Sequence, residues 1–581
     1  MTRLQCVDPE KIIPISRAST RAFTTGTWSA DRPKHVEKVS PCRVACPAGN
    51  NIPQALFMAT QGDFDAALSV FLEENPLPGV CGRVCYHPCE TDCNHQQLGG
   101  PVHIRALERT ASDSGSALPR PLTDAGRRHS VAVVGSGPAG LSAAYHLARM
   151  GHPITLIEAE KELGGLLRWG IPEYRLPLRA LERDLGRIMS LGIQIRNNFQ
   201  VNKDVLSELC ESYSAVFIAL GAQRSLSLKI PGIGLQGVFL GLDFLGKVRR
   251  GLLSRLLGNV IVIGGGNVAI DAALSARRMG AEQIDLVCLE QRDEMLAHEM
   301  ECEDALEEGI VFRNGWGPKR FLGKEGRVTE VEFVKCTSLY DAEGTFRPDY
   351  DYTSVFKLRA DWVILAIGQT QDLSLFGDKN FLNHKSRDTV TINDRKIEML
   401  FPGVFAGGDL VTGPSSVVEA ISSGKLAALA IHSYCQGNSL EKVWADASLG
   451  DGPSFSIQAL FYPRDGWNPK TVVALNNLEP LFIDCQARGK LKRLSTEERI
   501  KDFREMRPSL DTEEAIRQAG RCFFCGTCTG CDRCFIYCPE IAILRPGGDR
   551  GRYQVDSDYC KGCGVCAAVC PTGVMSMSRT V

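Results

Sequence analysis

Nowhere in the 581 residues does an apolar run approach the eighteen or more that a membrane-spanning helix needs. The stretch from Met1 to Ala22 mixes charges with prolines and has no signal-peptide core. Net charge is only −2, so neither a nucleic-acid surface nor a polybasic membrane patch is indicated. A disulfide framework is also missing: the 23 cysteines are odd in number, and most cluster at metal-ligand spacing. A reducing cytoplasm is therefore the expected compartment. At 44% hydrophobic and 23% charged the composition is ordinarily globular, and the length calls for several domains.

What the chain has in abundance is thiol ligands near its C-terminal end. Cys528, Cys531, Cys534 and Cys538 run as C-x2-C-x2-C-x3-C-P, and Cys560, Cys563, Cys566 and Cys570 repeat the run. This is the spacing of two-cluster bacterial ferredoxins, in which the fourth cysteine of each run crosses to the other cluster. Cys528, Cys531, Cys534 and Cys570 are expected to hold one [4Fe–4S] cluster, and Cys560, Cys563, Cys566 and Cys538 the second. Zinc also suits C-x2-C pairs but does not require the two C-x3-C-P endings. Cys522 and Cys525 form a further C-x2-C just upstream, readable as spare ligands, a third metal site or buried thiols.

Two nucleotide turns lie in the middle. Val131 to Val134 is an apolar strand that enters Gly135-Ser-Gly137-Pro138-Ala139-Gly140 and then a helix. Gly135 permits the tight turn, Gly137 lets the backbone approach a pyrophosphate, and Gly140 allows close helix–strand packing. The next strand ends in Glu158, placed to bond a ribose. The second turn, Gly264-Gly-Gly266-Asn267-Val-Ala269, follows Val260 to Ile263, and its acid is Glu290. A carboxylate there favours a free 2′-hydroxyl, whereas Arg292 could receive a 2′-phosphate, so NAD(H) is favoured over NADP(H). Two turns imply two dinucleotides, and a flavin with a nicotinamide is the simplest pair. Gly407-Gly408-Asp409, after an apolar strand, suits a flavin ribityl chain, although Asp409 alone could be an ordinary helix cap.

Together these residues resemble the small subunit of glutamate synthase and its relatives. The likeness spans about residues 40 to 435. It rests on Cys42-Arg-Val-Ala-Cys46-Pro47, Asn75-Pro-Leu-Pro, Cys81-Gly-Arg-Val-Cys85, Pro88-Cys89-Glu90 with Cys93, Gly164-Gly165, Gly170-Ile-Pro172, Arg175-Leu-Pro177, Gly221, Gly368 and Gly408-Asp409. The resemblance implies an α/β fold with two Rossmann-like dinucleotide domains of disulfide-reductase type. A helical iron–sulfur domain precedes them and a ferredoxin-like 2[4Fe–4S] domain follows. The expected boundaries are 1–125 for the N-terminal iron–sulfur domain, 126–250 with 358–436 for FAD, and 251–357 for NAD(P). A connector at 437–518 and the ferredoxin domain at 519–581 complete the chain. Within the connector, the Lys- and Arg-rich stretch Arg488 to Arg507 reads as a solvated helix face sooner than as a docking site.

By this likeness Gly135, Gly137, Gly140, Glu158, Gly165, Gly408 and Asp409 line FAD, and Pro138, Ala139, Arg175, Gly221 and Gly368 are further cofactor-binding positions. Gly264, Gly266, Asn267, Glu290 and Arg292 belong to the nicotinamide side. Cys46, Cys85 and Cys89 resemble three ligands of a [4Fe–4S] cluster beside the flavin, with Glu108 at the place of a fourth. Cys42 and Cys93 resemble half of another site, with Cys81 or Cys6 available to complete it; relatives with two clusters carry a C-x2-C before Cys42 that is absent here. Disulfide reductases of related fold place a redox C-x4-C near the flavin, but Gly164 to Pro172 contains no cysteine. No catalytic Ser, His or Cys is therefore expected. The reading is an NAD(P)H-dependent FAD iron–sulfur oxidoreductase, exchanging electrons with ferredoxin or a partner redox enzyme. Glutamate synthase itself would need a separate large subunit. The ferredoxin tail resembles electron-input subunits of larger complexes, such as those serving dissimilatory sulfite reductase.

Overall fold

The computed structural model describes residues 24–122, 129–253, 255–376, 388–392, 395–479, 487–545 and 552–579. Two sheets organise the centre. The first has seven strands, with Val131–Val134 between Ile154–Ile157 and Ala215–Ile218, all parallel. Every residue of Val131–Val134 is buried, as expected of a strand covered on both faces. The helix Val417–Gln436 packs against the first nucleotide helix, Pro138–Arg149. Ser416 and Glu419 form a reciprocal cap at its start.

The second sheet has five strands, Val311–Asn314, Gln283–Cys288, Asn259–Ile263, Trp362–Leu365 and Val238–Leu240, in that order. Its membership moves two sequence-derived boundaries. Val238–Leu240 and Trp362–Leu365 were assigned to the flavin domain, yet both hydrogen-bond into the second sheet. The second domain therefore begins before 238 and runs past 365. A three-stranded antiparallel sheet, Trp316–Lys324, Arg327–Tyr340 and Phe346–Arg359, packs on one face of it through Phe321, Val331 and Phe333.

The N-terminal region from Pro41 to Ser114 is helical. Its outermost strands tie it to the C-terminal part of the chain. Asp31–His35 pairs antiparallel with Met575–Arg579, and Glu37–Val39 pairs parallel with Trp467–Val472. The connector is thus part of a packed body. Its basic stretch is solvated in part, with Lys490, Lys492, Lys501 and Arg504 exposed, but Arg493, Arg499 and Arg507 all bond Asp304, and Arg499 is buried. Asp304 lies on the helix Glu299–Glu307 of the second nucleotide domain, so the stretch straps the connector to that domain. Among the described residues no helix is long and apolar enough to cross a membrane.

Candidate redox site

One cavity of about 1400 Å³ carries both glycine turns. That exceeds the roughly 300–1,000 Å³ of a single small-molecule pocket and leaves room for two dinucleotides. Gly135, Gly137, Pro138, Ala139, Glu158, Gly165, Gly221, Gly264, Gly266, Asn267, Glu290, Gly368, Gly408 and Asp409 all line it. The two turns are built alike. Gly135 has φ +102° and Gly264 has φ +138°, where side chains are strained. A Cβ on Gly135 would stand 2.9 Å from the carbonyl carbon of Ala219, and one on Gly264 2.8 Å from that of Ala366. Each turn is therefore pressed against the end of a neighbouring strand, and the next helix opens with its amides toward the cavity. Gly137 and Gly266 have open space where a Cβ would point, which fits a pyrophosphate lying against bare backbone.

Glu158 is buried, and its carboxylate accepts from the Ser136 and Glu160 amides at 2.9 Å each. It thereby closes the first turn onto the strand that carries it. Glu290 occupies the matching place in the second turn, where a Cβ on Gly265 would lie 2.7 Å from its carboxylate oxygen. Asn267 accepts from the His298 amide at 2.8 Å. Burial, partly offset by the Ser415 hydroxyl at 2.6 Å, pushes the Asp409 carboxyl up to about 6.

Three of the sequence-assigned residues are set apart from the others by their surroundings. Gly140 does not line the cavity: its missing Cβ makes room for the Gly135 carbonyl, so it shapes the turn from behind. Arg292 also lies outside the cavity lining and pairs with Glu299 at 2.7 Å. Arg175 lines the cavity, but its guanidinium is held by Asp271 at 2.7 Å and by Glu301. Since Asp271 and Glu301 belong to the second domain's helices, Arg175 joins the two nucleotide domains.

The N-terminal cysteines adjoin this cavity. Val84 and Tyr86 line it, and Cys85 lies between them in the chain. Burial, then the neighbouring Glu108, Cys85 and Cys46, push the Cys81 thiol up. Burial, then Cys46 and Cys85, do the same to Cys89. Cys46, Cys81, Cys85 and Cys89 therefore share one buried environment. Cys81, on the helix Pro78–Val84, is acted on most by burial, then by Glu108, Cys85 and Cys46. Glu108 accepts from Asn50 at 3.1 Å and Asn75 at 2.8 Å, and burial pushes it up to about 8. Four soft thiols in a buried pocket fit a [4Fe–4S] cluster, whose binding would expel their protons. Cys42 and Cys93 look toward the segment at 522–525 instead. Cys6 lies outside the described residues.

In the C-terminal domain burial raises the Cys534 thiol first, followed by Cys570, Cys531 and Cys528. Burial and then Cys538, Cys560 and Cys563 push Cys566 up to about 12. The fourth cysteine of each run thus lies with the other run.

Residues that the sequence reading missed include Tyr86, which lines the cavity and stacks on His298 with ring centroids 4.9 Å apart. Lys425 was missed as well. It is fully buried, pairs with Glu74 at 2.6 Å and donates to the Ala48 and Phe455 carbonyls at 2.7 Å. That ion pair locks the helix behind the flavin turn to the iron–sulfur region. A lysine within the apolar run Ala420 to Ile431 was the available signal.

Comparison with known proteins gives the same assembly. Residues 129–424 match the pyridine nucleotide-disulphide oxidoreductase family, 26–118 the dihydropyrimidine dehydrogenase domain II 4Fe-4S cluster family, and 527–574 the 4Fe-4S dicluster domain. The chain is 33% identical to the NADP(+)-dependent formate dehydrogenase subunit beta of Moorella thermoacetica, over 84% of this chain and 70% of that one. It is 37% identical to the NADPH-Fe(3+) oxidoreductase subunit beta of Geobacter sulfurreducens, over 71% and 67%. With the glutamate synthase [NADPH] small chain of Azospirillum brasilense the identity is 34%, over 68% and 86%. The chain belongs to the pyridine nucleotide-disulphide oxidoreductase family, as an FAD- and NAD(P)H-dependent oxidoreductase with 4Fe-4S domains on both sides of its nucleotide domains.

Proposed function

We propose that this chain is the electron-exchange subunit of a larger redox assembly, with NADH as its favoured nicotinamide and ferredoxin or a docked redox enzyme as its other partner. When bound, FAD supplies a centre that accepts a hydride and gives up electrons one at a time. The observation that carries the reading is the position of Cys85 between two cavity-lining residues, in a chain whose Gly164–Pro172 stretch has no redox cysteine pair. The thiol-rich pocket is then the nearest exit from the cavity.

The residues have separable tasks. The amides after Gly135 and Gly264 would receive the two pyrophosphates, and Glu158 the flavin-side ribose. Asp409 would face the ribityl chain. Cys46, Cys81, Cys85 and Cys89 would ligate the cluster beside the flavin, with Glu108 next to it. The two ferredoxin runs would hold the C-terminal pair in the crossed arrangement. The preference for NADH rests on Glu290, which would repel a 2′-phosphate, and on Arg292, which is already paired with Glu299. NADPH is the second reading, favoured by the names of the Moorella, Geobacter and Azospirillum relatives; another relative, from Escherichia coli, is named as NAD-dependent. Anaerobic dye-reduction kinetics with each nucleotide test the point. A kcat/KM at least about tenfold higher for NADH is expected, corresponding to about 1.4 kcal/mol; a higher value for NADPH would reverse the assignment.

A further inference from the structure

Four cysteines that neither the nucleotide cavity nor the flavin-side pocket uses border one small pocket. They are Cys42, Cys93, Cys522 and Cys525, and the buried side chains of Ile52, Leu56, Val102, Ile104 and Phe523 supply the rest of its apolar lining. The segment bearing Cys522 and Cys525 arrives from the far end of the chain, and Asn94 reaches across 431 residues to donate to the Cys525 sulfur at 3.4 Å. The Phe524 amide donates to the Cys522 sulfur at 3.3 Å, and the Ser40 hydroxyl is 3.1 Å from that of Cys42. Polar donors directed at sulfur in an apolar pocket are how proteins hold and tune thiolate-bound clusters. His95 lines the same space and has a buried Nε2 with no hydrogen-bond partner, a further sign that the pocket is built around something other than side chains.

The backbone repeats a pattern seen in the ferredoxin runs. In Cys528–Cys531 and Cys560–Cys563 the second intervening residue is a left-handed glycine, Gly530 at φ +67° and Gly562 at φ +69°. In Cys522–Cys525 that position is Phe524, also left-handed at φ +50°. A phenylalanine accepts this conformation only where the surroundings impose it. The N-terminal cysteines divide between two environments in a complementary way. Cys42 and Cys46 sit at the two ends of one helical turn, and Cys89 and Cys93 flank another. In each pair one thiol belongs to the flavin-side pocket and the other to this space.

We propose that Cys42, Cys93, Cys522 and Cys525 are the ligands of one further [4Fe–4S] cluster, assembled from both ends of the chain. The segment at 522–525 stands in for the C-x2-C that is missing before Cys42. Among the described residues no three of His, Cys, Asp or Glu converge closely enough to share a single metal ion. A tetrahedral zinc site would bring its sulfurs to about 3.8 Å of one another, whereas the corners of a cube hold thiolates further apart. The location supplies the use. Cys528, first ligand of the ferredoxin module, follows Cys525 by three residues, a reach of at most about 11 Å. The site therefore lies between the flavin-side cysteines and the C-terminal clusters. Each passage would change it by one electron, taken from the Cys46 group and given to the Cys528 group or the reverse. No proton or bond would be exchanged at the cysteines, and NAD(P)H would be the reductant.

The inference rests on the proposed function for its purpose but not for its test. Iron, acid-labile sulfide, zinc and FAD are measured on the anaerobically purified full chain. Four ligand sets of four irons predict about 16 iron and 16 sulfide per FAD. About 12 iron, with or without one zinc, overturns the site. The double substitution Cys522→Ser/Cys525→Ser is expected to lower iron by about four per FAD while flavin content and dye reduction by NADH persist. It should also slow reduction of the C-terminal clusters by NADH at least tenfold in stopped flow. An unchanged iron count in the double variant would equally overturn the site. The wild-type count stands if the variant fails to fold, and Cys210→Ser, at an exposed cysteine, controls for the substitution itself. Absence of dye reduction in the wild-type protein would count against the hydride-accepting reading and leave the iron count to judge the site.

Discussion

Replacing Gly424 by alanine measures how far the flavin cavity depends on the crossing of two helices. Gly424 lies inside Val417–Gln436 where that helix meets the first turn of Pro138–Arg149. An added Cβ would stand 2.8 Å from the carbonyl carbon of Ala139 and nearer still to its oxygen, whereas ordinary contact begins at 3.4 Å. The obstruction is backbone, so no side chain can swing away. Moving from 2.8 to 3.4 Å requires the helices to part by about 0.6 Å at the least. Pro138 and Ala139 line the cavity, and the shift is delivered to the peptide groups proposed to receive the pyrophosphate. Overpacking of this kind costs about 1–3 kcal/mol. Expressed wholly in flavin binding, it raises the FAD Kd between about 5- and 150-fold. Gly186→Ala is the matched control, because Gly186 sits in the helix Leu178–Met189 with nothing near its missing Cβ. That change should stabilise by about 0.5–1 kcal/mol and leave FAD alone. FAD retained after desalting and the Kd from flavin fluorescence titration are the readouts. A Gly424→Ala protein with wild-type flavin content and Kd would refute the reasoning.

Three other outcomes follow from the same geometry. Lys425→Met strands the buried Glu74 carboxylate without its ammonium and should destabilise the junction by about 3–5 kcal/mol, read as a lower urea midpoint and faster proteolysis between the iron–sulfur and nucleotide domains. Glu290→Gln removes the negative charge proposed to face the adenosine ribose and should move the NADPH-to-NADH ratio of kcat/KM upward by about tenfold; no change would mean that Glu290 does not read that ribose. Burial, then His152 and His129, lower the His432 imidazole to about 4, and its Nδ1 lies 3.0 Å from His152. Because its pKa is depressed in the folded state, this histidine costs nothing above pH 6.5 and withdraws stability as pH falls from there toward 4. The slope is up to about 1.4 kcal/mol per pH unit, so His432→Gln should flatten the pH dependence of the urea midpoint across that window.

What the sequence disclosed was whatever is written locally. Each glycine turn is a strand, a bend and a helix within about ten residues, and each ferredoxin run is a spacing, so Gly135, Gly264 and the eight C-terminal cysteines could be picked out directly. Sheet membership was less legible. Val238–Leu240 and Trp362–Leu365 are short apolar strands that look alike whichever sheet they join, and only the pairing partner decides. Arg499 looked like one more surface charge, because the carboxylates that bury it lie on a helix almost 200 residues earlier. The place of Cys81, offered by the sequence to the Cys42 and Cys93 site, was hard to read for the same reason: its neighbours are set by how Pro78–Val84 packs on Ile104–Ser114, not by its distance along the chain from Cys85.

The pairing of Asp31–His35 with Met575–Arg579 has a consequence for biogenesis. A nascent polypeptide leaves the ribosome with its first strand unpartnered until more than 500 further residues have been made. The nucleotide domains can collapse during translation, but the iron–sulfur region cannot close around its contents until synthesis has passed the last cysteines. Closure of this part of the molecule is thereby tied to completion of the strand Met575–Arg579.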